Sequence, residues 1–108
     1  MNDGRIYNLL GLAMRAGALT AGNDACMSSV RSGKAALAVI ASDTGGNAKK
    51  KYADKCKHYG VPLVELGTKD SLGHAVGKAQ NAILVLTDRG FAHRILQLTG
   101  ENIGGEAH

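Results

Sequence analysis

Two short, unbroken apolar runs constrain this chain most: residues 36–41 (ALAVIA) and 82–86 (AILVL). A run of five or six such residues offers no polar face to water. That is the pattern of a central β-strand covered on both sides. Helices must therefore lie above and below a sheet in which these two runs are neighbouring central strands. The remaining segments have to supply those helices and the outer strands.

They do so in alternation. Ile6, Leu9, Leu10 and Ala13 share one helical face, with Asp3 able to cap its start and Gly17 placed to end it. Residues 18–20 have room only for a short strand. Asn23 or Asp24 is then expected to cap a second helix that closes at Gly33, with Gly33 and Lys34 as its exit turn. Ala48, Tyr52, Cys56 and Tyr59 mark the inner face of a third helix, capped by Asn47 and closed by Gly60. Residues 62–66 follow as a strand whose start tolerates Pro62. Leu72, Ala75 and Val76 fit a short helix opened by Thr68. Phe91, Ile95 and Leu98 fit a last one opened by Thr87 and stopped by Gly100. The alternation predicts a three-layer α/β/α sandwich with a mixed four-stranded sheet.

With 108 residues there is room for one core of useful size. Residues 1–100 are read as that domain, and the polar, glycine-bearing residues 101–108 as a tail that frays. No window approaches 18 uninterrupted apolar residues, and the first ten residues lack the basic-then-apolar order of a secretory signal. No membrane association and a cytoplasmic location are expected. Cys26 and Cys56 form no CxxC motif and have no second pair at metal-ligand spacing, so both are read as buried free thiols. Neither a metal nor a cofactor is expected. The net charge of +4 makes a polyanion a plausible partner. Because Glu101 and Glu106 lie in the tail, the folded body is more basic than the whole.

Ligands of open α/β sheets gather at loops beyond the strand ends, which directs attention to residues 20–24, 42–47 and 67–75. The stretch SDTGGNAKKK (42–51) could hold a phosphate on backbone N–H groups at a helix start, but it lacks P-loop spacing. Its three lysines read rather as a solvated face opposite Tyr52 and Cys56. His58, His74, His93 and His108 have no partner that the sequence places beside them. Asp43 and Asp88 each follow a central strand, where a catalytic carboxylate or a helix cap would sit. Tyr7, Tyr52, Tyr59 and Phe91 are the only aromatic residues. With three of the four at apolar helical positions, a base-stacking platform is not expected. A nucleic-acid contact here would use backbone amides, small polar side chains and shape.

The stretches LLGLAMRAGALTAGNDACMSSVRSGKAALAVIASD, KKKYADKCKHYGVP and LGHAVGK, in that order, resemble the YlxQ-like bacterial members of the ribosomal-protein superfamily that binds kink-turn RNA. This is the L-seven-Ae and L-thirty-e group. The likeness runs from about Ile6 to Leu98. It implies a sandwich that grips sharply bent RNA with two loops. The first would read guanine edges and corresponds to Gly22, Asn23 and Asp24, with Ala25 where a glutamate is frequent and Ser28 where a lysine is usual. The second corresponds to Leu72, Gly73, His74 and Ala75, with a titratable histidine replacing an arginine or lysine. A charge-assisted contact is worth about 1–3 kcal/mol, so these replacements are expected to weaken binding.

The reading is thus a non-enzymatic, RNA-binding domain, monomeric when free, that takes structured RNA of kink-turn or ribosomal type. The alternative is a protein-interaction adaptor that kept the fold and lost tight kink-turn binding. A small enzyme using Asp43 or Asp88 is the third reading.

Overall fold

The computed structural model of the chain describes residues 3–100, with the side chain of Asp3 excepted. The Asp3 cap and the frayed tail expected above lie outside the described residues. Five helices and four strands alternate among the described residues: α1 (Asp3–Arg15), β1 (Leu19–Ala21), α2 (Asn23–Arg31), β2 (Leu37–Ile40), α3 (Gly46–Tyr59), β3 (Leu63–Glu65), α4 (Lys69–Ala75), β4 (Ile83–Leu86) and α5 (Arg89–Thr99). The strands form one mixed sheet in the order β1-β4-β2-β3. β4 pairs antiparallel with both β1 and β2, and β2 pairs parallel with β3. The two apolar runs are the adjacent central strands, with Leu37 opposite Leu86 and Ile40 opposite Ile83.

All four residues of β2 and all four of β4 are buried, and the pleat divides them between two cores. Leu37, Val39, Leu84 and Leu86 face one core with Ile6, Leu10, Leu72 and Ile95, which come from α1, α4 and α5. Ala38, Ile40, Ile83 and Val85 face the other with Cys26, Met27, Val30, Tyr52 and Cys56, from α2 and α3. Helices on both faces of the sheet give the expected three layers. Cys26 and Cys56 are both free and buried in the second core.

Three helix starts differ from expectation by one or two residues. The N-cap of α2 is Gly22 rather than Asn23 or Asp24, because the turn out of β1 needs a backbone conformation reserved for glycine. The N-cap of α3 is Gly45, which leaves Asn47 inside the first turn. The N-cap of α5 is Asp88 rather than Thr87. There the Thr87 N–H is bonded to the Ala18 carbonyl at 2.9 Å, which keeps Thr87 extended alongside the sheet. Tyr59, expected on the inner face of α3, is 42% exposed at the end of the helix. The Thr68 start of α4 is as expected. Its hydroxyl accepts from Ser71 N–H at 3.1 Å while Ser71 Oγ accepts from Thr68 N–H at 2.8 Å, a reciprocal capping box.

The pairing fixes where the loops fall. β1, β2 and β3 run one way and β4 the other. The exits of the first three strands and the entry to β4 therefore share one end of the sheet. Gly22, residues 41–45, residues 66–68 and the return 76–82 are all at that end. Two of these loops are tied together: the Ser42 N–H donates to the Gly67 carbonyl at 2.8 Å, and the Lys69 N–H to Asp43 Oδ1 at 2.9 Å.

Candidate functional site

Gly22 carries the chain from β1 into α2 with φ 100° and ψ 146°. A residue with a Cβ is strained there, although the space beside Gly22 is open. Among the described residues no side chain caps the first turn of α2, and the first intrahelical bond runs from Cys26 N–H to the Gly22 carbonyl at 3.0 Å. The opening N–H groups, at Asn23, Asp24 and Ala25, precede that bond and have no intrahelical acceptor. All three residues are exposed. Asp24 places a negative charge in the first turn, where it complements the helix dipole.

Asn23 is held by the neighbouring helix. The Tyr52 hydroxyl of α3 donates to Asn23 Oδ1 and lies 3.4 Å from the Asn23 carbonyl. Burial pushes the Tyr52 phenol up to about 12, and the nearby Cys26, Asp24 and Cys56 add to the shift. At neutral pH Tyr52 is therefore a proton donor, and its bond to Oδ1 leaves the nitrogen end of the Asn23 amide to donate elsewhere. Cys26 beneath the turn is likewise raised to about 12 by burial, partly offset by a backbone hydrogen bond. Its Sγ donates to the Thr20 carbonyl at 3.2 Å, so it acts as a buried polar post.

Beyond the turn, a groove of about 570 Å³ runs along α2. Asn23, Asp24, Met27 and Ser28 line its near part, Arg31 and Ser32 its far part, and Lys51 of α3 its other wall. Of the three consecutive lysines on α3, Lys49 is paired with Glu65 at 3.0 Å and Lys50 with Asp54 at 3.5 Å. Lys51 has no carboxylate partner among the described residues, and its Nζ lies 5.8 Å from the centroid of the Tyr52 ring. The solvated-face reading thus suits Lys49 and Lys50, while Lys51 borders the groove.

The second expected loop is instead the last four residues of helix α4 (Lys69–Ala75). Leu72 and Gly73 are buried. A Cβ on Gly73 would lie 2.6 Å from Gln80 Cα and 2.8 Å from its nitrogen, so glycine is required for the return 76–82 to pass against α4. His74 is exposed and Ala75 half-buried, and these two carry the segment to the surface. α4 and α2 cover opposite faces of the sheet. The two expected segments therefore flank the same sheet end from different layers, and residues 72–75 do not line the α2 groove.

The other candidates take structural roles. Asp43 accepts from the backbone at the start of α4, and Asp88 Oδ1 accepts from Phe91 N–H at 3.0 Å as the cap of α5. His58 and His93 are exposed, and His108 lies outside the described residues. Among the described residues no group of three or more histidine, cysteine or acidic side chains is placed to hold a metal. No helix among them is long and apolar enough to cross a membrane. Five residues of this site, Met27, Arg31, Ser32, Lys51 and Tyr52, are not among those the sequence singles out for it. Arg31 was legible, since it lies three positions after Ser28 and seven after Asp24 on one helical face. Lys51 and Tyr52 come from another helix, and only the packing of α3 on α2 reveals them.

The model of the Ribosomal protein L7Ae/L30e/S12e/Gadd45 family matches residues 4–96, and the chain belongs to that family. It is 35% identical over 92 residues to the RNA-binding protein YlxQ of Bacillus subtilis (strain 168), covering 85% of this chain and 92% of the relative. It is 37% identical over 101 residues to the RNA-binding protein YlxQ of Enterococcus faecium, covering 91% and 97%. A solved structure of a protein of unknown function from Bacillus halodurans C matches with a TM-score of 0.86 at 35% identity, over 90% of this chain and 98% of that one. The 15.5kD RNA binding protein of Giardia lamblia shares the fold, with a TM-score of 0.75 at 22% identity over 93% and 87%.

Proposed function

We propose that residues 1–100 form a non-enzymatic module that binds structured RNA, of kink-turn or ribosomal type, in the cytoplasm as a monomer. The observation that carries this reading is the β1–α2 turn. Gly22 opens a helix whose first N–H groups are uncapped, and Tyr52 fixes Asn23 beside them. Fixed backbone and amide donors suit the acceptor oxygens of phosphates and base edges. Relatives named as RNA-binding proteins at 35% and 37% identity support the same reading. With Asp43 and Asp88 engaged as caps, the carboxylates that an enzyme would use are committed to the fold.

His74 and the end of α4 supply the second contact in this reading, reaching the RNA from the other layer at the same sheet end. Crosslinking in the native cell, followed by sequencing of the attached RNA, tests it. Enrichment of structured segments is the expected result. An RNA-free protein recovered with a stoichiometric protein partner would favour the adaptor role instead.

A further inference from the structure

The groove along α2 contains two cations from different helices, Arg31 and Lys51. Both are exposed, and neither forms an ion pair among the described residues. They face one carboxylate, Asp24, at the near end of the groove; Ser28 and Ser32 of α2 also line it, the Ser32 hydroxyl donating to the Ser29 carbonyl at 3.4 Å. From Asp24 to Arg31 is seven residues, an axial distance of about 10 Å on a helix. Arg31 therefore lies beyond the turn along α2, while Lys51 stands on the facing helix beside Tyr52.

We propose that Arg31 and Lys51 form a phosphate clamp that carries the RNA backbone onward from the β1–α2 turn, supplying together the charge that Ser28 does not. The clamp rests on the RNA-binding reading above. An open, cationic channel with a serine wall fits a flexible polyanion. Arginine can give two parallel hydrogen bonds to one phosphate and lysine a point charge to the next. Because the two groups stand on separate helices packed through Tyr52 and Cys26, the spacing of the clamp is set by the second core.

The test is the salt dependence of binding to a fluorescent kink-turn RNA for the parent, for the double variant Arg31→Gln/Lys51→Gln, and for Lys57→Gln/Arg89→Gln. The last removes the same charge from sites outside the groove. The groove variant is expected to bind about thirtyfold more weakly at low salt. Its plot of log affinity against log salt should be shallower by about 1.4 to 1.8, from two phosphate contacts. The control should lose less than threefold with little change of slope. Adding Ser28→Lys to the groove variant should recover at least half of the lost slope. Equal losses in the two double variants would overturn the clamp and leave RNA binding intact, whereas a parent without affinity for any structured RNA would overturn both. If the groove variant keeps its RNA affinity but loses binding to poly-glutamate, the groove docks an acidic protein segment and the clamp is wrong.

Discussion

The hydroxyl of Tyr52 donates to the side-chain oxygen of Asn23, joining α3 to the first residue of α2. One residue of the candidate site is thus positioned from a helix 29 residues further along the chain. Tyr52→Phe keeps the ring in the second core and removes this bond. Because Asn23 is exposed and can turn to water, the stability loss should be small, about 0.5–1.5 kcal/mol by denaturant unfolding. The loss of order at the turn should appear in binding: a fivefold or greater drop in kink-turn affinity by fluorescence anisotropy. Unchanged affinity would mean that Asn23 needs no anchoring.

The same core makes stability sensitive to alkali. Burial raises Cys26 and Tyr52 from ordinary values of 9.0 and 10.0 to about 12, and raises Cys56 as well. Each group holds its proton more tightly in the fold than in the unfolded chain. Its contribution is complete below pH 9, falls as the unfolded chain begins to ionise, and is lost as pH approaches 12. Urea unfolding should give a flat stability from pH 6 to 8 and a decline above 9. Cys26→Ala should make the onset of that decline shallower. A stability that stays flat to pH 11 would contradict the burial of these groups.

Gly73→Ala tests the packing role assigned to that glycine. The new methyl would meet the backbone of Gln80 and Ala79, which cannot move aside as a side-chain tip would. A cost of about 1–3 kcal/mol is expected, together with faster amide exchange in residues 76–82. A neutral substitution would show that the return loop yields freely.

Ser28→Lys places a cation one helical turn after Asp24, on the same face. Ser28 is exposed, and lysine is the better helix former, so stability should not fall. Affinity for a kink-turn RNA should rise by about 1–2 kcal/mol, and for an unkinked duplex by less. Ala53→Lys, at an exposed position on α3, is the control for charge alone and should affect both RNAs equally. The choice of control matters. Ser71, which is close to the second segment in sequence, is unsuitable because its side chain closes the α4 cap and lies 3.1 Å from the Tyr7 hydroxyl.

The sheet could be read from the sequence because the runs at 36–41 and 82–86 admit no other cover than helices on both faces, and alternate residues of each do enter different cores. Helix starts were less legible. Capping preference is local, whereas Asn23 is engaged by Tyr52 and Thr87 by Ala18, partners distant in sequence. The candidate site divides in the same way. Asn23, Asp24 and Ser28 line one groove, as their spacing implies. Leu72 and Gly73 are buried supports whose role follows from the return loop passing against them, and the contribution of Lys51 emerges only when α3 packs on α2.

Titration of two RNAs of equal length and charge, one carrying a kink-turn and one a straight duplex, decides whether the β1–α2 turn reads RNA shape. At one fixed salt concentration, the kink-turn RNA is expected to bind at least tenfold more tightly, with Gly22→Ala removing most of that preference. Equal affinity for the two RNAs, unchanged by Gly22→Ala, would contradict it.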